Sequence, residues 1–132
     1  MPQMEITGYE HVGIRVSDRE RAIAFYGELG FQLVSDLPEH RALVLETAGG
    51  VKINLIYNAT PRPSAANVLM DEAVKHPGVT HPAFVVSSLD DTVAHLEERG
   101  IRLTEGPLRI EDRRICFVRD PDGNVVEFDE YV

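Results

Sequence analysis

Apolar and polar residues alternate along this chain with two periods, and the periods follow one another in the same order twice. Runs with a period of two and many β-branched residues predict strands. In the first half these runs cover residues 10–16, 31–35, 42–46 and 51–57. After the first run the apolar positions recur at helical spacing, at Ala22, Ile23, Phe25, Tyr26 and Leu29. This order predicts a β-α-β-β-β unit.

Turn and cap residues bound these elements. Ser17, with Glu20 three positions later, has the pattern of a capping box at the start of a helix. Gly30 stands where a glycine commonly ends a helix. Gly49 and Gly50 predict a tight hairpin between the third and fourth strands.

The second half of the chain repeats the first. With an offset of 70 positions, the segment that begins at His11 (HVGIRVSDRERAIAFYGELGFQL) is identical to the segment that begins at His81 (HPAFVVSSLDDTVAHLEERGIRL) at seven of 23 positions. A second β-α-β-β-β unit is therefore expected. We predict its strands at 79–86, 101–103, 114–118 and 124–128, its helix from a cap at Ser87 or Ser88 to Arg99, and a turn at 120–123.

The repeat predicts an α+β fold in which two tandem β-α-β-β-β modules form a curved mixed sheet around a metal or substrate cleft. A single domain is expected over residues 1–132, with module one at about 8–58 and module two at about 78–130. The connector, about 59–77, contains Pro61 and Pro63 and is expected to be stiff, with a short helix around 68–74.

Composition narrows the classes of partner. The formal net charge of −9 argues against nucleic acid and anionic membranes, which need clustered Lys and Arg, but it leaves room for a small anionic substrate. No apolar run approaches the length of a membrane span, and the first ten residues lack the pattern of a signal peptide. The lone Cys116 lies among apolar strand residues and is expected to be a buried thiol. These features favour a cytoplasmic protein.

The repeat also selects four positions with possible chemistry. His11 and His81 are equivalent on the first strands, and aligning Gly50 with Gly123 places Asn54 over Glu127 on the last strands. Because side chains alternate across a strand, each of these residues projects to one face of its sheet. Two histidines and a carboxylate suit Fe(II), Mn, Ni, Co or Zn. Each of these residues alone would be interpreted as an ordinary strand residue. The four positions together favour metal binding and an ordinary structural role equally.

These motifs resemble the vicinal oxygen chelate superfamily, which includes glyoxalase I, extradiol dioxygenases, fosfomycin-resistance transferases and bleomycin-resistance proteins. The likeness rests on HVGIRVSD, FYGELGF, THPAFVV and RDPDGNVVEF, and spans about residues 10–128. It implies paired modules around a divalent metal held by His11, His81 and Glu127. The shared chemistry is bidentate binding of neighbouring substrate oxygens, with the metal stabilising an oxyanion or enolate.

Departures from the family narrow the chemistry. Asn54 stands where glyoxalase I has a glutamate, and an amide is at most a weak ligand and not a general base. Phe117 replaces the acidic tyrosine of extradiol dioxygenases, whose pocket histidine falls in a stretch that here is Arg109–Arg114. Gly13 replaces the hydroxyl residue of fosfomycin transferases. Bleomycin-resistance proteins lack the metal ligands that this chain retains.

Alternation adds candidates for a substrate pocket, namely Gly13, Arg15, Ile56, Ala83 and Asp129. Arg15 could bind a carboxylate or phosphate, although an arginine in this position is more often only solvated. Arg113 and Arg114 are expected to form a solvated hairpin end.

The resulting hypothesis is a metal-dependent enzyme, glyoxalase-like lyase or extradiol-dioxygenase-like oxidoreductase, with Glu127 as the catalytic ligand. Its substrate would be a small molecule with vicinal oxygens, and its assembly a homodimer with no nucleic acid or membrane partner. The alternative is a ligand-binding or drug-sequestering protein with a vestigial metal site.

Overall fold

Each half of the chain folds into a four-stranded sheet with one helix packed against it. The computed structural model describes residues 2–132. The first half contains β1 (Val12–Arg15), α1 (Arg19–Glu28), β2 (Gln32–Leu37), β3 (Ala42–Glu46) and β4 (Lys52–Ile56). The second half contains β5 (Ala83–Val85), α2 (Leu89–Glu98), β6 (Glu105–Ile110), β7 (Arg113–Arg119) and β8 (Val125–Tyr131). The predicted α+β fold of two β-α-β-β-β modules is confirmed.

The two sheets have the same topology. Their strand orders are β1-β4-β3-β2 and β5-β8-β7-β6. In each sheet the first strand runs parallel to the last, and the other pairs are antiparallel. Gly13 pairs with Asn54 in the first sheet, and Ala83 pairs with Glu127 in the second. Asn54 and Glu127 therefore occupy matching places in the two modules.

The two modules share one core within the chain. The phenol of Tyr26, fully buried, donates to Asp120 Oδ2 at 2.8 Å. The rings of Phe31 and Phe84 meet edge to face, with centroids 5.4 Å apart. Such aromatic contacts add to the free energy that burial of apolar area supplies. The apolar residues of α1 and α2 pack into this core. Its buried residues include Val16, Ala22, Leu43, Leu45, Ile53, Leu55, Leu89, Leu96, Val118 and Val126.

The start of α1 differs from the prediction. Asp18, not Ser17, caps the helix, and its carboxylate accepts from the Arg21 backbone N–H at 2.9 Å. Ser17 instead donates its hydroxyl to Asp122 Oδ1 at 2.5 Å, in the other module. The cap moved one residue because Ser17 is held by this contact between modules. In α2, Ser88 is the cap.

Two other predicted elements are wrong. Residues 101–103 form no strand, because pairing with β7 begins only where the backbone N–H of Thr104 donates to Phe117 O at 2.8 Å, and β6 therefore starts at Glu105. Residues 68–74 form turns and no helix. There the Asn67 side chain accepts from the backbone of Leu69 and Met70, at 3.0 and 3.1 Å, and this local bonding competes with a helix.

Within residues 2–132, no helix has the length and apolar character needed to cross a bilayer.

The Cys116 thiol is buried on the helix side of β7, as expected. Burial, reinforced by the negative charges of Asp129 and Glu127, raises its pKa to about 11. The reactive form of a cysteine is the thiolate. A disulfide reagent at pH 8 should therefore leave the native protein unmodified and titrate one thiol after unfolding in guanidinium chloride. Rapid modification of the native protein would contradict this prediction.

Candidate metal centre

His81 and Glu127 meet at the edge between β5 and β8. His81 lies two residues before β5, Glu127 lies in β8, and the two strands are parallel neighbours. His81 Nε2 is 2.8 Å from Glu127 Oε1. On the other side of the ring, His81 Nδ1 is 2.8 Å from the hydroxyl of Thr80. A histidine that binds a metal usually has its second ring nitrogen hydrogen-bonded, while the first nitrogen coordinates the metal. The Phe117 ring packs against the imidazole at 5.5 Å.

The carboxyl of Glu127 lies in an unusual electrostatic environment. Its residue is only 7% exposed, and burial raises its pKa above the ordinary value. The neighbouring carboxyl of Asp129 raises the pKa further, whereas His81 lowers it. An anion held in such a place is costly unless a cation compensates it. The donor chemistry, one imidazole nitrogen and one buried carboxylate, fits a divalent transition metal.

Asp129 and Arg113 form an ion pair on the same face of the sheet as Glu127. Asp129 Oδ2 accepts from Arg113 Nη1 at 2.7 Å. Asp129 is 4% exposed. Its Oδ1 is the one buried side-chain oxygen or nitrogen in residues 2–132 that has no hydrogen-bond partner. The prediction of a solvated Arg113 holds only in part, because a buried carboxylate two residues from Glu127 binds one side of the guanidinium while the side chain stays 29% exposed.

The first module contributes less to the site within one chain. His11 lies just before β1, its side chain is 38% exposed, and its Nδ1 is 3.7 Å from Glu10 Oε1. In the part of the chain that the structure describes, no three His, Cys, Asp or Glu side chains cluster closely enough to hold one metal ion. One chain thus brings His81 and Glu127 together and leaves His11 apart from them. Asn54 is half-buried on β4.

An open cavity of about 800 Å³ lies where β1 and β5 approach each other. His11 and His81 both line it, as do the predicted pocket residues Gly13 and Ala83. Its other walls include the exposed apolar side chains of Tyr9, Val51, Val79 and Val85.

The other predicted pocket residues, Arg15, Ile56 and Asp129, do not line this cavity. Arg15, on the exposed side of β1, borders an adjoining groove and donates Nε to Asn58 Oδ1 at 3.0 Å. Ile56 pairs with Arg15 across β1 and β4, and Asp129 pairs with Val85. Sequence reasoning missed the support that Thr80 gives to His81. The sequence feature that could have indicated this contact is the hydroxyl residue directly before the repeated histidine.

Comparison with known proteins agrees with this architecture. Residues 8–128 match the sequence model of the Glyoxalase/Bleomycin resistance protein/Dioxygenase superfamily. The chain belongs to this superfamily.

Three similar proteins illustrate the range of its relatives. The chain is 32% identical to virulence protein STM3117 of Salmonella typhimurium, over 98% of this chain and 88% of that protein. It is 30% identical to metallothiol transferase FosB of Staphylococcus epidermidis, over 94% of this chain and 82% of that one. It also resembles the structure of TnmS3, an antibiotic binding protein from Streptomyces sp. CB03234, with a TM-score of 0.74, 26% identity and coverage of 98% and 100%.

Proposed function

We propose that this protein is a metal-dependent enzyme that acts on a small substrate with vicinal oxygens. The observation that supports this most directly is the contact between His81 Nε2 and Glu127 Oε1, at 2.8 Å, with both groups buried or half-buried. Two potential ligands converge there, and Thr80 and Phe117 orient the imidazole. The name of the relative FosB, a metallothiol transferase, is consistent with metal use on this fold.

The third ligand in this proposal is His11 of a second copy of the chain. His11 is exposed and stands apart from His81 and Glu127 within one chain. Apolar side chains at the rim of the cavity between β1 and β5 are exposed to solvent, with Val79 at 79% and Val85 at 67% exposure. A second copy placed over this rim would bury it and bring a histidine to the site. Soluble oligomers most often have such two-fold symmetry.

Each residue has a defined role in the proposed reaction. A bound metal would supply Lewis acidity toward the paired oxygens of the substrate. His81, Glu127 and His11 would hold the metal, and Thr80 would keep His81 in the tautomer that coordinates. Asn54, at the place in module one that matches Glu127, would offer a hydrogen bond to the substrate or a weak ligand oxygen, because an amide does not accept a proton as a base.

A complementation experiment tests whether the site spans two chains. His11→Ala and His81→Ala proteins should each bind no stoichiometric zinc. After mixing, unfolding and refolding together, hybrid dimers should hold one zinc per dimer, because one site regains His11 from one chain and His81 from the other. Elemental analysis of tag-separated hybrids measures this. Hybrids without zinc, from single variants that fold normally, would contradict the shared site.

The catalytic claim is tested by a screen of metal-loaded protein against α-keto aldehydes, catechols and epoxides. Turnover that chelation abolishes and that metal restores is expected for at least one class. The alternative function, ligand or drug sequestration with a vestigial metal site, is favoured by the likeness to TnmS3. That alternative predicts ligand binding that is equally tight with and without chelator, and no turnover.

A further inference from the structure

The ion pair between Arg113 and Asp129 lies beside the proposed metal ligands, on the face that bears them. Glu127 and Asp129 are two residues apart on β8, in a continuous register with β7. Their side chains therefore project to the same face, with origins about 6.7 Å apart. Arg113 reaches this face from the start of β7, through its 2.7 Å contact with Asp129.

Only part of the Arg113 guanidinium is used by this pair. Nη1 donates to Asp129, and Nε has only a 4.0 Å contact with the exposed Asp112. Nη2 has no acceptor within residues 2–132. The side chain is 29% exposed, so these donors remain accessible. A guanidinium carries donors in a fixed fork that matches the two oxygens of a carboxylate.

The internal repeat shows that the fold does not require this pair. In the matching sheet Ala42 pairs with Ile56, where the second module pairs Ile115 with Asp129. An apolar Ile56 thus serves the first module at the place of Asp129. A buried carboxylate is expensive relative to an apolar residue. Its presence in the second module only, next to Glu127, suggests a role beyond packing.

We propose that Arg113, positioned by Asp129, binds an anionic group of the substrate, such as a carboxylate, while the vicinal oxygens of the same molecule face Glu127 and His81. This inference rests on the proposed function and names its substrate class: small vicinal-oxygen compounds with an anionic substituent about one ring away. Arg113 is then a binding residue, and Asp129 is a positioning residue that fixes the guanidinium.

Two measurements test this assignment, one with metal and one without. With zinc-loaded protein, calorimetry compares 3,4-dihydroxybenzoate with catechol, which has the same vicinal oxygens and no carboxylate. Wild type should prefer the acid by about tenfold, the size expected for a charge-assisted hydrogen bond. Arg113→Gln should bind the two compounds with similar affinity, and Arg113→Lys should retain part of the preference for the acid.

Arg114→Gln is the matched control. Arg114 is the next residue on β7, but it contacts Asp90 at 3.0 Å and Glu130 at 3.9 Å on the helix side. Its variant should keep the full preference for the acid. Equal binding of both compounds by wild type, or a preference that survives in Arg113→Gln, would overturn the proposal.

The metal-free measurement separates this inference from the proposed function. In apo protein labelled with ¹⁵N, benzoate should shift the Nε–Hε resonance of Arg113, assigned by its loss in Arg113→Lys, whereas benzyl alcohol should not. A purely structural ion pair would respond to neither. If the protein binds no zinc, the proposed function fails, and the benzoate response still decides the role of Arg113. No response to benzoate overturns that role.

Discussion

Replacing Glu127 by glutamine should abolish stoichiometric metal binding while leaving the fold intact. The glutamine has the same shape but no charge, and the buried position that now holds a carboxylate tolerates a neutral group. Loss of residues that only orient metal ligands weakens binding 10–100-fold, so loss of an anionic ligand should weaken it by more than about a hundredfold. His81→Ala should have the same effect. Elemental analysis after dialysis measures the metal content.

Two exposed residues of the same types serve as controls for these variants. Glu98→Gln, at the end of α2, and His76→Ala, in the connector, remove a carboxylate and an imidazole that contact no proposed ligand. Both proteins should retain the metal content of wild type. A full equivalent of metal in either Glu127→Gln or His81→Ala would refute the ligand assignment.

Replacing Gly123 by alanine should strongly destabilise the turn between β7 and β8. Gly123 has a φ of +85°, a conformation that L-residues adopt at a cost of about 1–2 kcal/mol. A Cβ there would also lie 1.9 Å from the carbonyl oxygen of Ala65, so the connector would have to move. That movement would break the 3.1 Å bond from Asn67 Nδ2 to Gly123 O. A total loss of about 2–4 kcal/mol is expected in urea unfolding.

Gly27 in α1 provides the matched control for this substitution. A Cβ at Gly27 meets no atom within 4 Å, and alanine favours a helix by about 0.5–1 kcal/mol over glycine. Gly27→Ala should therefore be neutral or stabilising. Amide hydrogen exchange should become faster in the connector of Gly123→Ala and should stay unchanged in Gly27→Ala. Equal stability of the two variants would show that the turn tolerates a side chain.

The duplicated fold was predictable because both the hydrophobic periods and the turn residues repeat. The match of His11 with His81 set the register of the first strands, and Gly50 with Gly123 set that of the last strands. The structure places Asn54 and Glu127 at equivalent pairings accordingly. The repeat does not show where a side chain bonds to a distant part of the chain instead of to the backbone of its own element. Ser17 leaves its capping position to bond Asp122, 105 residues away.

The candidate site was predictable in part for the same reason. Alternation gives the face of a side chain, so it pointed to Glu127 and Asp129 together. It does not give the direction of a long, flexible side chain at the end of a strand, and Arg113 was therefore assigned to solvent. Nor does alternation show how two modules are arranged in space, which decides whether His11 joins His81 within one chain or from another.

The matching strand registers have a consequence for how such a chain changes over generations. At these matching positions the acidic groups belong to the second copy, as Glu127 and Asp129, while the first copy has Asn54 and Ile56. The second copy is constrained by charge balance, since each buried carboxylate needs its partner. The first copy carries no buried carboxylate at these positions, so charge balance does not constrain its β4 face, where Asn54 would contact the substrate. New specificities on this scaffold should therefore arise mainly by substitution in the first copy.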